Sequence, residues 1–416
     1  MYNKRRNNIF KTMNDNSAML LFSGNERKMS ADASYPFYVN NNFYYLTGIN
    51  QSEVALLLIK GKHSKITYLF LDETSELEAK WNGSGLTYSE ASKISGVDIK
   101  YLKPYKEFEN ILSTYFIPSR RNQIGVIDTL FLDLERDSFE DEKQISHHFA
   151  ERVLSHYYNI DIKDCFDSIA LLRMIKDDHE IELTKKAIAI TKEGINALMK
   201  KAKPGINEYN LEAEFNYVLD NNNVKPSFDT IAAAGKNATV LHYVSNDTMI
   251  NDNELILFDL GVRYQQYCSD ISRTFPVNGK FTKRQKEIYE IVLNCNKKTI
   301  EWLHPGVSFQ EFLDYGRNLL IEGCKKIGLI KEDDEINKYY YHGLGHFLGL
   351  DVHDVGYYSN RFESGIIITV EPGLYIEEEG IGIRIEDDIL ITDNGCINLS
   401  KDIIKEVDEI EAFMKK

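Results

Sequence analysis

Residues 254–275 read Glu254-Leu-Ile-Leu-Phe-Asp259-Leu-Gly-Val-Arg-Tyr-Gln-Gln-Tyr267-Cys-Ser-Asp270-Ile-Ser-Arg-Thr-Phe275. Two apolar segments joined by a short connection predict a β-hairpin. Residues on facing strands can share one side of a hairpin, so Asp259 and Asp270 can present both carboxylates together. A carboxylate in an apolar strand is costly unless a cation or hydrogen bonds compensate it. Asp259 alone could equally be a structural carboxylate, but the pair favours a metal site.

A glycine-rich histidine segment, His-Gly-Leu-Gly-His-Phe-Leu-Gly-Leu-Asp-Val-His-Asp, occupies residues 342–354. His342 and His346 are four residues apart, as in the HExxH motif of zinc proteases. Gly343 and Gly345 replace the helix formers of that motif, however, and no glutamate lies between the histidines. The glycine spacing also departs from the dinucleotide-binding fingerprint. The segment therefore indicates a backbone that runs close to a site.

Two glutamates follow in strand-like segments, Gly365-Ile-Ile-Ile-Thr-Val-Glu371-Pro-Gly-Leu-Tyr375 and Gly380-Ile-Gly-Ile-Arg384-Ile-Glu386. Strand alternation puts Arg384 and Glu386 on the same face, where an ion pair between them is the alternative to metal binding. Four carboxylates and one imidazole suit a pair of hard divalent cations better than a single zinc. The candidate ligands are Asp259, Asp270, His346, Glu371 and Glu386. If they converge, the protein is a two-metal hydrolase.

The composition is that of a globular protein of two or three domains. The chain has 416 residues, of which 43% are hydrophobic, so it can bury sizeable cores. Lys and Arg number 49 against 64 Asp and Glu, and the formal net charge of -15 with no long basic run argues against a nucleic-acid partner. No apolar run approaches the roughly 18 residues of a membrane span. We therefore expect neither nucleic acid nor a membrane as a partner.

Cysteine usage indicates a reducing compartment. The five cysteines are scattered, odd in number and without a CxxC pair, which argues against a disulfide framework or a thiolate metal site.

The basic patch at residues 4–6 has no apolar segment behind it and does not resemble a secretory signal. We expect the protein in the cytoplasm.

The chain changes character near residue 170. Before it, short apolar strands alternate with polar helices, which predicts an α/β domain of about 160 residues. The predicted strands lie at 54–59, 66–72, around 99–102 and at 123–128, with a helix at 89–93. Beyond it, helices are predicted at 177–203, through 211–219, at 284–303 and at 309–327, with strands between and after them. Helices followed by a hairpin, twice over, could reflect a duplicated half.

These motifs resemble those of a known family. Residues 342–354, Thr-Val-Glu-Pro-Gly-Leu-Tyr-Ile at 369–376 and Gly-Ile-Arg-Ile-Glu-Asp-Asp at 382–388 are similar to signatures of the Xaa-Pro aminopeptidases, or aminopeptidases P, in the pita-bread metallopeptidase family M24. Leu-His-Tyr at 241–243 and residues 273–281 also match. The resemblance covers most of residues 225–392. It extends more weakly to Asn-Phe-Tyr-Tyr-Leu-Thr-Gly at 42–48 and Trp-Asn-Gly at 81–83 in the amino-terminal half.

The resemblance implies an α/β (α+β) protein of two domains. Residues 169–416 would form a pita-bread catalytic domain, a curved mixed sheet flanked by helices. Residues 1–168 would form a smaller α/β accessory domain of the ribonuclease H-like, aminopeptidase P amino-terminal type. It also implies two divalent metal ions per subunit, Mn²⁺ first, with Co²⁺ or Zn²⁺ as alternatives. In that arrangement Asp259 would bind one ion, His346 and Glu371 the other, and Asp270 and Glu386 both.

Family likeness further implies roles for residues around the metals. His242 and His353 would contact the substrate or the tetrahedral intermediate, and Glu371 could shuttle the proton of the attacking water. The residues expected to bind or orient the proline side of the substrate are His342, Tyr375 and Arg384. Trp81 would reach the active site of a neighbouring subunit, or else it is a core tryptophan.

The implied reaction is hydrolysis of the bond between an amino-terminal residue and a following proline in a peptide. The protein would act as a homodimer or homotetramer. Prolidase, which takes only dipeptides with the same metal chemistry, is the main alternative. The fold also hosts creatinase, which uses no metal, and non-catalytic binding modules, so a binding function is the distant alternative.

Overall fold

The computed structural model describes residues 1–117, 124–136 and 138–415. It divides into two compact units, Met1–Arg173 and Met174–Lys416. The predicted domain boundary between residues 168 and 169 lies within a helix that spans Phe166–Met174. Within the described residues, no helix is long and apolar enough to cross a membrane.

The first unit is built on a mixed sheet that, in its described part, has six strands. In chain order its elements are α1 (Tyr2–Thr12), β1 (Ser17–Phe22), α2 (Asn41–Thr47), β2 (Ala55–Lys60), β3 (Lys65–Phe70), α3 (Glu76–Asn82), α4 (Tyr88–Ser95), β4 (Leu102–Lys103), α5 (Phe108–Phe116), β5 (Thr129–Leu132), α6 (Ile145–His156), β6 (Asp161–Asp164) and α7 (Phe166–Met174). The strand order is β4-β3-β2-β1-β5-β6. Strands β1 to β3 are antiparallel, and β4, β5 and β6 join parallel to their neighbours. This is the α/β architecture predicted for the amino-terminal half.

The local predictions for this unit have mixed outcomes. Strands β2 and β3 and helix α4 confirm the elements predicted at 54–59, 66–72 and 89–93. Around 99–102 the chain instead forms a single 3₁₀ turn before the short strand β4. The strand predicted at 123–128 is wrong: residue 123 lies outside the described residues, and β5 begins only at Thr129. Ile124 and Ile127 are buried in the core. Their apolar side chains therefore pack there without forming part of a strand.

Strand β1 and helix α1 are among the elements of the first unit that the sequence did not predict. Strand β1 lies at the centre of the sheet and is buried along its whole length, which gives it no alternating pattern. Helix α1 carries the basic patch at residues 4–6. Arg6 is buried there and donates to the carbonyls of Leu46 (2.7 Å) and Ser95 (2.9 Å). The two arginines of the patch are therefore part of the domain core, whereas Lys4 is exposed.

The second unit contains two pairs of helices, each followed by antiparallel strands. Its elements are α8 (Asp178–Lys201), α9 (Glu208–Asn221), β7 (Lys225–Pro226), β8 (Ile231–Ala234), β9 (Leu255–Leu260), β10 (Val262–Tyr264), β11 (Tyr267–Cys268), β12 (Ile271–Pro276), α10 (Lys283–Trp302), α11 (Phe309–Lys326), β13 (Ile367–Val370), β14 (Gly373–Ile376), β15 (Ile381–Arg384), β16 (Asp387–Thr392), β17 (Gly395–Asn398) and α12 (Val407–Met414). All four predicted helices are confirmed. The strands form short ladders that make up the curved sheet against which the helices pack.

Capping residues explain where the long helices begin. The Asp177 side chain accepts from the backbone N–H groups of His179 and Glu180 at the start of α8. Thr282 and Ser308 make the same kind of capping box at the starts of α10 and α11. These caps satisfy backbone donors that have no partner inside the helix. Each cap thereby fixes the residue at which its helix begins.

The predicted hairpin at 254–275 is confirmed and has one continuous register. Asp259 lies opposite Ser272 in the ladder of β9 with β12, and Arg263 lies opposite Cys268 in that of β10 with β11. Gly261 lies between the two ladders. A Cβ atom there would be 1.9 Å from the carbonyl oxygen of Ser269, so only glycine allows this approach of the two strands.

The second hairpin, at residues 367–392, is interrupted between its two ladders. Val370 lies opposite Asp387 in the ladder of β13 with β16, and Gly373 lies opposite Arg384 in that of β14 with β15. The register is the same on both sides of the gap, which places Glu371 opposite Glu386. Both hairpins therefore bring a pair of candidate ligands together.

Candidate active site

The first hairpin positions the two aspartates on one face of the sheet. Ser272 is the direct partner of Asp259, and Asp270 precedes Ser272 by two residues, so the two carboxylates share a side. Asp270 is buried, and the Oδ1 atoms of both aspartates are buried without a hydrogen-bond partner among the described residues. A buried carboxylate oxygen with no donor has room for a cation.

The glutamates of the second hairpin lie at the same place. Glu386 is buried, and its Oε2 atom accepts from the Ser272 hydroxyl at 2.7 Å. The Glu371 backbone N–H donates to Leu344 O at 2.8 Å, which ties this ligand to the glycine-rich segment. The side chain of Glu371 keeps 17% of its surface exposed. It is thus the more accessible of the two glutamates.

His346 completes the set of five. Its Nε2 atom lies 3.4 Å from Asp270 Oδ2 and 3.6 Å from Glu371 Oε1. Its Nδ1 atom lies 3.0 Å from Phe347 O, and because a carbonyl can only accept, Nδ1 carries the hydrogen. The lone pair of Nε2 therefore faces the carboxylates, in the tautomer that a metal-binding histidine needs.

Close backbone contact holds the glycine-rich segment against β13. The His346 backbone N–H donates to Thr369 Oγ1 at 3.0 Å, and the Thr369 N–H donates to His346 O at 2.9 Å. A Cβ atom on Gly345 would lie 2.1 Å from Thr369 O. Gly343 and Gly345 also line the cleft that contains the candidate ligands, so the prediction of a backbone that runs close to a site is confirmed.

The donor set fits a divalent metal centre. Ligand atoms of Asp270, His346 and Glu386 all lie within 4.8 Å of one another, and all three residues are buried. Burial first, and then the neighbouring carboxylates, raises the pKa of Asp270 and of Glu386 well above the usual carboxyl range. Burial raises the pKa of Glu371 to about 8. Buried carboxylates that repel one another are stabilised most strongly when they bind cations.

Arg384 joins the two hairpins. Its guanidinium donates to Asp259 Oδ2 at 2.6 Å, to Ser272 Oγ at 2.8 Å and to the Tyr375 hydroxyl at 3.0 Å. The salt bridge found for Arg384 in the described structure is thus with Asp259, whereas Glu386 is reached through the Ser272 hydroxyl that both contact. Arg384 is buried and acts on the ligands themselves.

A hydrogen-bonded chain leads from Arg384 to His342. The Tyr375 hydroxyl accepts from Arg384 and lies 2.8 Å from His342 Nε2, while His342 Nδ1 lies 2.6 Å from Gly343 O. The carbonyl fixes the hydrogen on Nδ1, so Nε2 accepts from the tyrosine. Burial, and next the charge of Arg384, lowers the pKa of His342 to about 3. The imidazole is therefore neutral.

The ligands lie at the floor of a cleft of about 580 Å³. His242 and His353 are exposed on its wall, and the His353 ring lies 4.1 Å from that of His346. The structure brings these predicted residues together in the lining: His242, Asp259, Asp270, His342, His346, His353, Glu371, Arg384 and Glu386. Tyr375 is buried behind them and joins through His342 and Arg384.

Other lining residues had not been predicted. Phe309, Gln310 and Leu313 come from the first turns of α11, and Tyr358 follows the glycine-rich segment. The Phe309 and Tyr358 rings lie 4.3 Å apart, edge to face. In the sequence, α11 has the apolar spacing of an ordinary core helix, and no signal marks its first turns as a cleft wall.

Trp81 belongs to the first unit. It lies on the short helix α3 and is 81% exposed, so the interpretation as a core tryptophan is wrong. The described part of the domain therefore leaves this side chain uncovered. Its contact with a neighbouring subunit remains a prediction.

Comparison with known families gives two matches. Residues 182–393 match the model described as metallopeptidase family M24, and residues 2–124 match that of the aminopeptidase P N-terminal domain. The chain is 36% identical to the Xaa-Pro aminopeptidase of Haemophilus influenzae, over 99% of this chain and 96% of the relative. It is 35% identical to the Xaa-Pro aminopeptidase of Escherichia coli, over 99% and 97%.

Solved structures agree along the whole chain. A provisionally assigned aminopeptidase P from Bacillus anthracis is 46% identical with a TM-score of 0.96, covering 100% of this chain and 97% of that one. A complex of Escherichia coli aminopeptidase P with the inhibitor Pro-Leu is 34% identical with a TM-score of 0.88, covering 99% and 97%. The similarity therefore includes both units.

Proposed function

This chain belongs to metallopeptidase family M24 and is a metallo-aminopeptidase, and we propose that its five convergent ligands hold two divalent cations for cleavage before proline. The observation that carries this proposal is the buried cluster of Asp270, His346 and Glu386 at the floor of the cleft. The match to the aminopeptidase P N-terminal domain favours an aminopeptidase over prolidase. Five filled ligand positions argue against a non-catalytic binding module.

In the proposed arrangement, Asp259 holds one cation, His346 and Glu371 hold the other, and Asp270 and Glu386 serve both. Asp259 Oδ2 is engaged by Arg384, while its Oδ1 atom is buried and has no donor among the described residues. When bound, the cations would lower the pKa of a water molecule and polarise the scissile carbonyl. Carboxylate-rich sites of this kind suit Mn²⁺, which we propose first, with Co²⁺ or Zn²⁺ as alternatives.

Glu371 is suited to move a proton during hydrolysis. Its carboxylate is partly exposed to the cleft, whereas Asp270 and Glu386 are sealed in the floor. As an ionised metal ligand, this carboxylate can accept a proton from the attacking water. The proline nitrogen of the scissile bond must gain a proton when it leaves, and Glu371 can return the one it took.

His242 and His353 are placed to donate to the substrate carbonyl oxygen as it becomes negative. Both are exposed on the wall of the cleft, and the His353 ring lies 4.1 Å from that of the ligand His346. A hydrogen-bond donor aimed at developing charge is worth roughly 10²-fold to 10³-fold in kcat. In this proposal the two histidines contact the substrate, and the other five residues bind the metals.

The chain of Arg384, Tyr375 and His342 orients the proline side of the cleft. Arg384 is buried and fixes both Asp259 and the Tyr375 hydroxyl. His342 is neutral and lies at the cleft wall, where its ring offers an apolar face to a proline ring. A peptide bond to proline has no N–H, so recognition has to rest on ring shape and neighbouring carbonyls.

We propose a homo-oligomer, dimer or tetramer, for this enzyme. Trp81 and Leu77 on helix α3 are 81% and 69% exposed, an apolar pair that another protein surface would cover. In this assembly Trp81 contacts the active site of a neighbouring subunit. The five free cysteines support a cytoplasmic location.

The test is a comparison of peptide substrates on protein loaded with Mn²⁺. We expect turnover of an Xaa-Pro-Xaa tripeptide and none of the matching Xaa-Ala-Xaa tripeptide. Metal analysis should give two ions per chain. Cleavage of only the Xaa-Pro dipeptide would identify a prolidase, and fewer than one bound ion per chain would favour the binding module.

A further inference from the structure

Pro372 interrupts the hairpin that carries the two glutamates. In the shared register Pro372 faces Ile385, and the Ile385 N–H donates to Pro372 O at 3.3 Å. A regular antiparallel pair returns a second hydrogen bond in the opposite direction. Proline has no N–H to donate, so Ile385 O loses its ladder partner next to the ligand Glu386.

A side chain from helix α10 supplies the missing donor. Asn296 is fully buried, and its Nδ2 atom donates to Ile385 O at 3.3 Å and to Val370 O at 3.0 Å. An amide NH₂ has two hydrogens, so one nitrogen can serve both strands. These carbonyls belong to the residues that immediately precede Glu386 and Glu371. Asn296 thus ties the two ligand-bearing strands together at the gap.

The orientation of the Asn296 amide is fixed from its other side. Lys405 Nζ lies 2.7 Å from Asn296 Oδ1, and because an ammonium group can only donate, this atom is the oxygen. Lys405 is paired with Asp387, which also accepts from Arg273 at 2.7 Å. Arg273 in turn donates to the backbone carbonyls of Ser272 and Glu386. Asn296 is therefore held within a buried network beneath the ligands.

We propose that Asn296 is a positioning residue that sets the separation of Glu371 and Glu386, and through them the geometry of the metal pair. The proposal rests on the function proposed above, in which both glutamates bind cations. Two carbonyls held by one nitrogen cannot move apart without breaking a buried hydrogen bond. Without this tie, the gap at Pro372 would let the two glutamates shift independently, and outer contacts of this kind are worth about 10-fold to 100-fold in metal affinity.

The main test is Asn296→Asp, which keeps the shape and the acceptor for Lys405 but has no N–H for the two carbonyls. Its matched control is Gln285→Glu, because Gln285 is also a buried amide on α10 and donates to a single backbone carbonyl, Asn253 O, at 2.6 Å. Both variants remove an amide donor from the same helix. A second variant, Asn296→Ala, removes the donor without adding charge.

Metal-free protein would be titrated with Mn²⁺ by calorimetry, and its melting temperature would be measured. Protein loaded with Mn²⁺ would be examined by electron paramagnetic resonance. We expect both Asn296 variants to weaken Mn²⁺ binding about 10-fold to 100-fold and to lose the spectrum of a coupled Mn²⁺ pair. Their kcat on an Xaa-Pro tripeptide should fall more than KM changes. Gln285→Glu should lower the melting temperature while affinity and spectrum stay unchanged.

Three results would overturn the proposal, and they are distinguishable. If Asn296→Ala lowers only the melting temperature and keeps wild-type Mn²⁺ affinity and spectrum, Asn296 is a stabilising residue alone. If the wild-type protein itself does not bind two Mn²⁺ ions, the proposed function fails and this inference fails with it. Loss of affinity in Gln285→Glu equal to that in Asn296→Asp would also contradict a specific role.

Discussion

The two hairpins that carry the carboxylates hold their ligands in different ways. In the first, Asp259 and Asp270 lie diagonally on one face of a hairpin whose two ladders keep one register on either side of Gly261, where the strands meet closely. In the second, Glu371 and Glu386 face each other across a gap in the ladder. Strand register brings the aspartates to one face, and Arg384 then engages Asp259. The longer glutamates have an extra rotatable bond, and Asn296 ties their strands together at the gap.

The hairpins are also joined to each other. Ser272 on the first donates to Glu386 on the second, and Arg384 on the second donates to Asp259 on the first. Each hairpin therefore orients one ligand of the other. The metal site is a property of the pair, so damage to either hairpin should reach the ligands of both.

The largest effect is expected from removing a ligand that serves both cations. Asp270→Ala from the first hairpin, or Glu386→Ala from the second, should lower kcat/KM by more than about 10³-fold and abolish stoichiometric Mn²⁺ binding, since several kcal/mol of charge stabilisation is lost. Asp393→Ala, an exposed carboxylate in the turn between β16 and β17, is the control. Near-normal turnover in either ligand variant would refute the shared assignment.

A histidine outside both hairpins should separate substrate binding from metal binding. His242→Ala is expected to lower kcat by about 10²-fold, because a donor to the carbonyl oxygen is lost, with two Mn²⁺ ions still bound. Metal content and steady-state kinetics would be measured on the same preparation. Loss of metal in this variant would make His242 a ligand.

Cutting the link between the hairpins should produce a smaller change. Ser272→Ala removes the hydroxyl that donates to Glu386 and accepts from Arg384, and we expect Mn²⁺ affinity to fall about 10-fold to 100-fold. Ser272→Thr keeps the hydroxyl and should retain most of the affinity. If both variants bind Mn²⁺ like wild type in calorimetry, the hairpins orient their ligands separately.

A backbone change should show how much stability depends on the close approach of the strands in the first hairpin. Gly261→Ala places a Cβ atom 1.9 Å from Ser269 O and should lower the free energy of unfolding by about 1–3 kcal/mol. Gly395→Ala, at the start of β17 and with no atom within 4 Å of the new Cβ, should be nearly neutral. Chemical denaturation of both metal-free variants gives the comparison. Equal stabilities would show that the first hairpin tolerates a shifted register.

The smallest effect concerns pH in the metal-free protein. A carboxyl whose folded pKa is raised, such as that of Glu371 at about 8, contributes stability at low pH that is lost as pH rises. Buried His342, whose pKa is lowered, changes stability only below its ordinary pKa of about 6.5. Between pH 6.5 and 8 the melting temperature should therefore fall, and Glu371→Gln should flatten this slope. A melting temperature that rises over this range would contradict the acid cluster.

Much of the site could be predicted because its ligands are set by local sequence. The strand pattern around Asp259 and Asp270 predicted a hairpin, and the glycines around His346 predicted a close backbone approach. Both predictions are confirmed because the two-residue alternation of a strand and the missing side chain of glycine are properties of a few neighbouring residues. The prediction of a strand at 123–128 was wrong because Ile124 and Ile127 pack in the core without forming a strand. A local pattern of apolar residues does not distinguish these two cases.

By itself, the sequence determined which residues can bind cations and which strands carry them, since ligand chemistry and strand alternation are local properties. Only the tertiary structure decided that Arg384 pairs with Asp259, that Ser272 joins the hairpins, and that Asn296 replaces the donor missing at Pro372. These contacts join residues 74 to 125 positions apart. Their partners are set by the way the two hairpins and helix α10 pack against one another, and no short-range pattern records that choice.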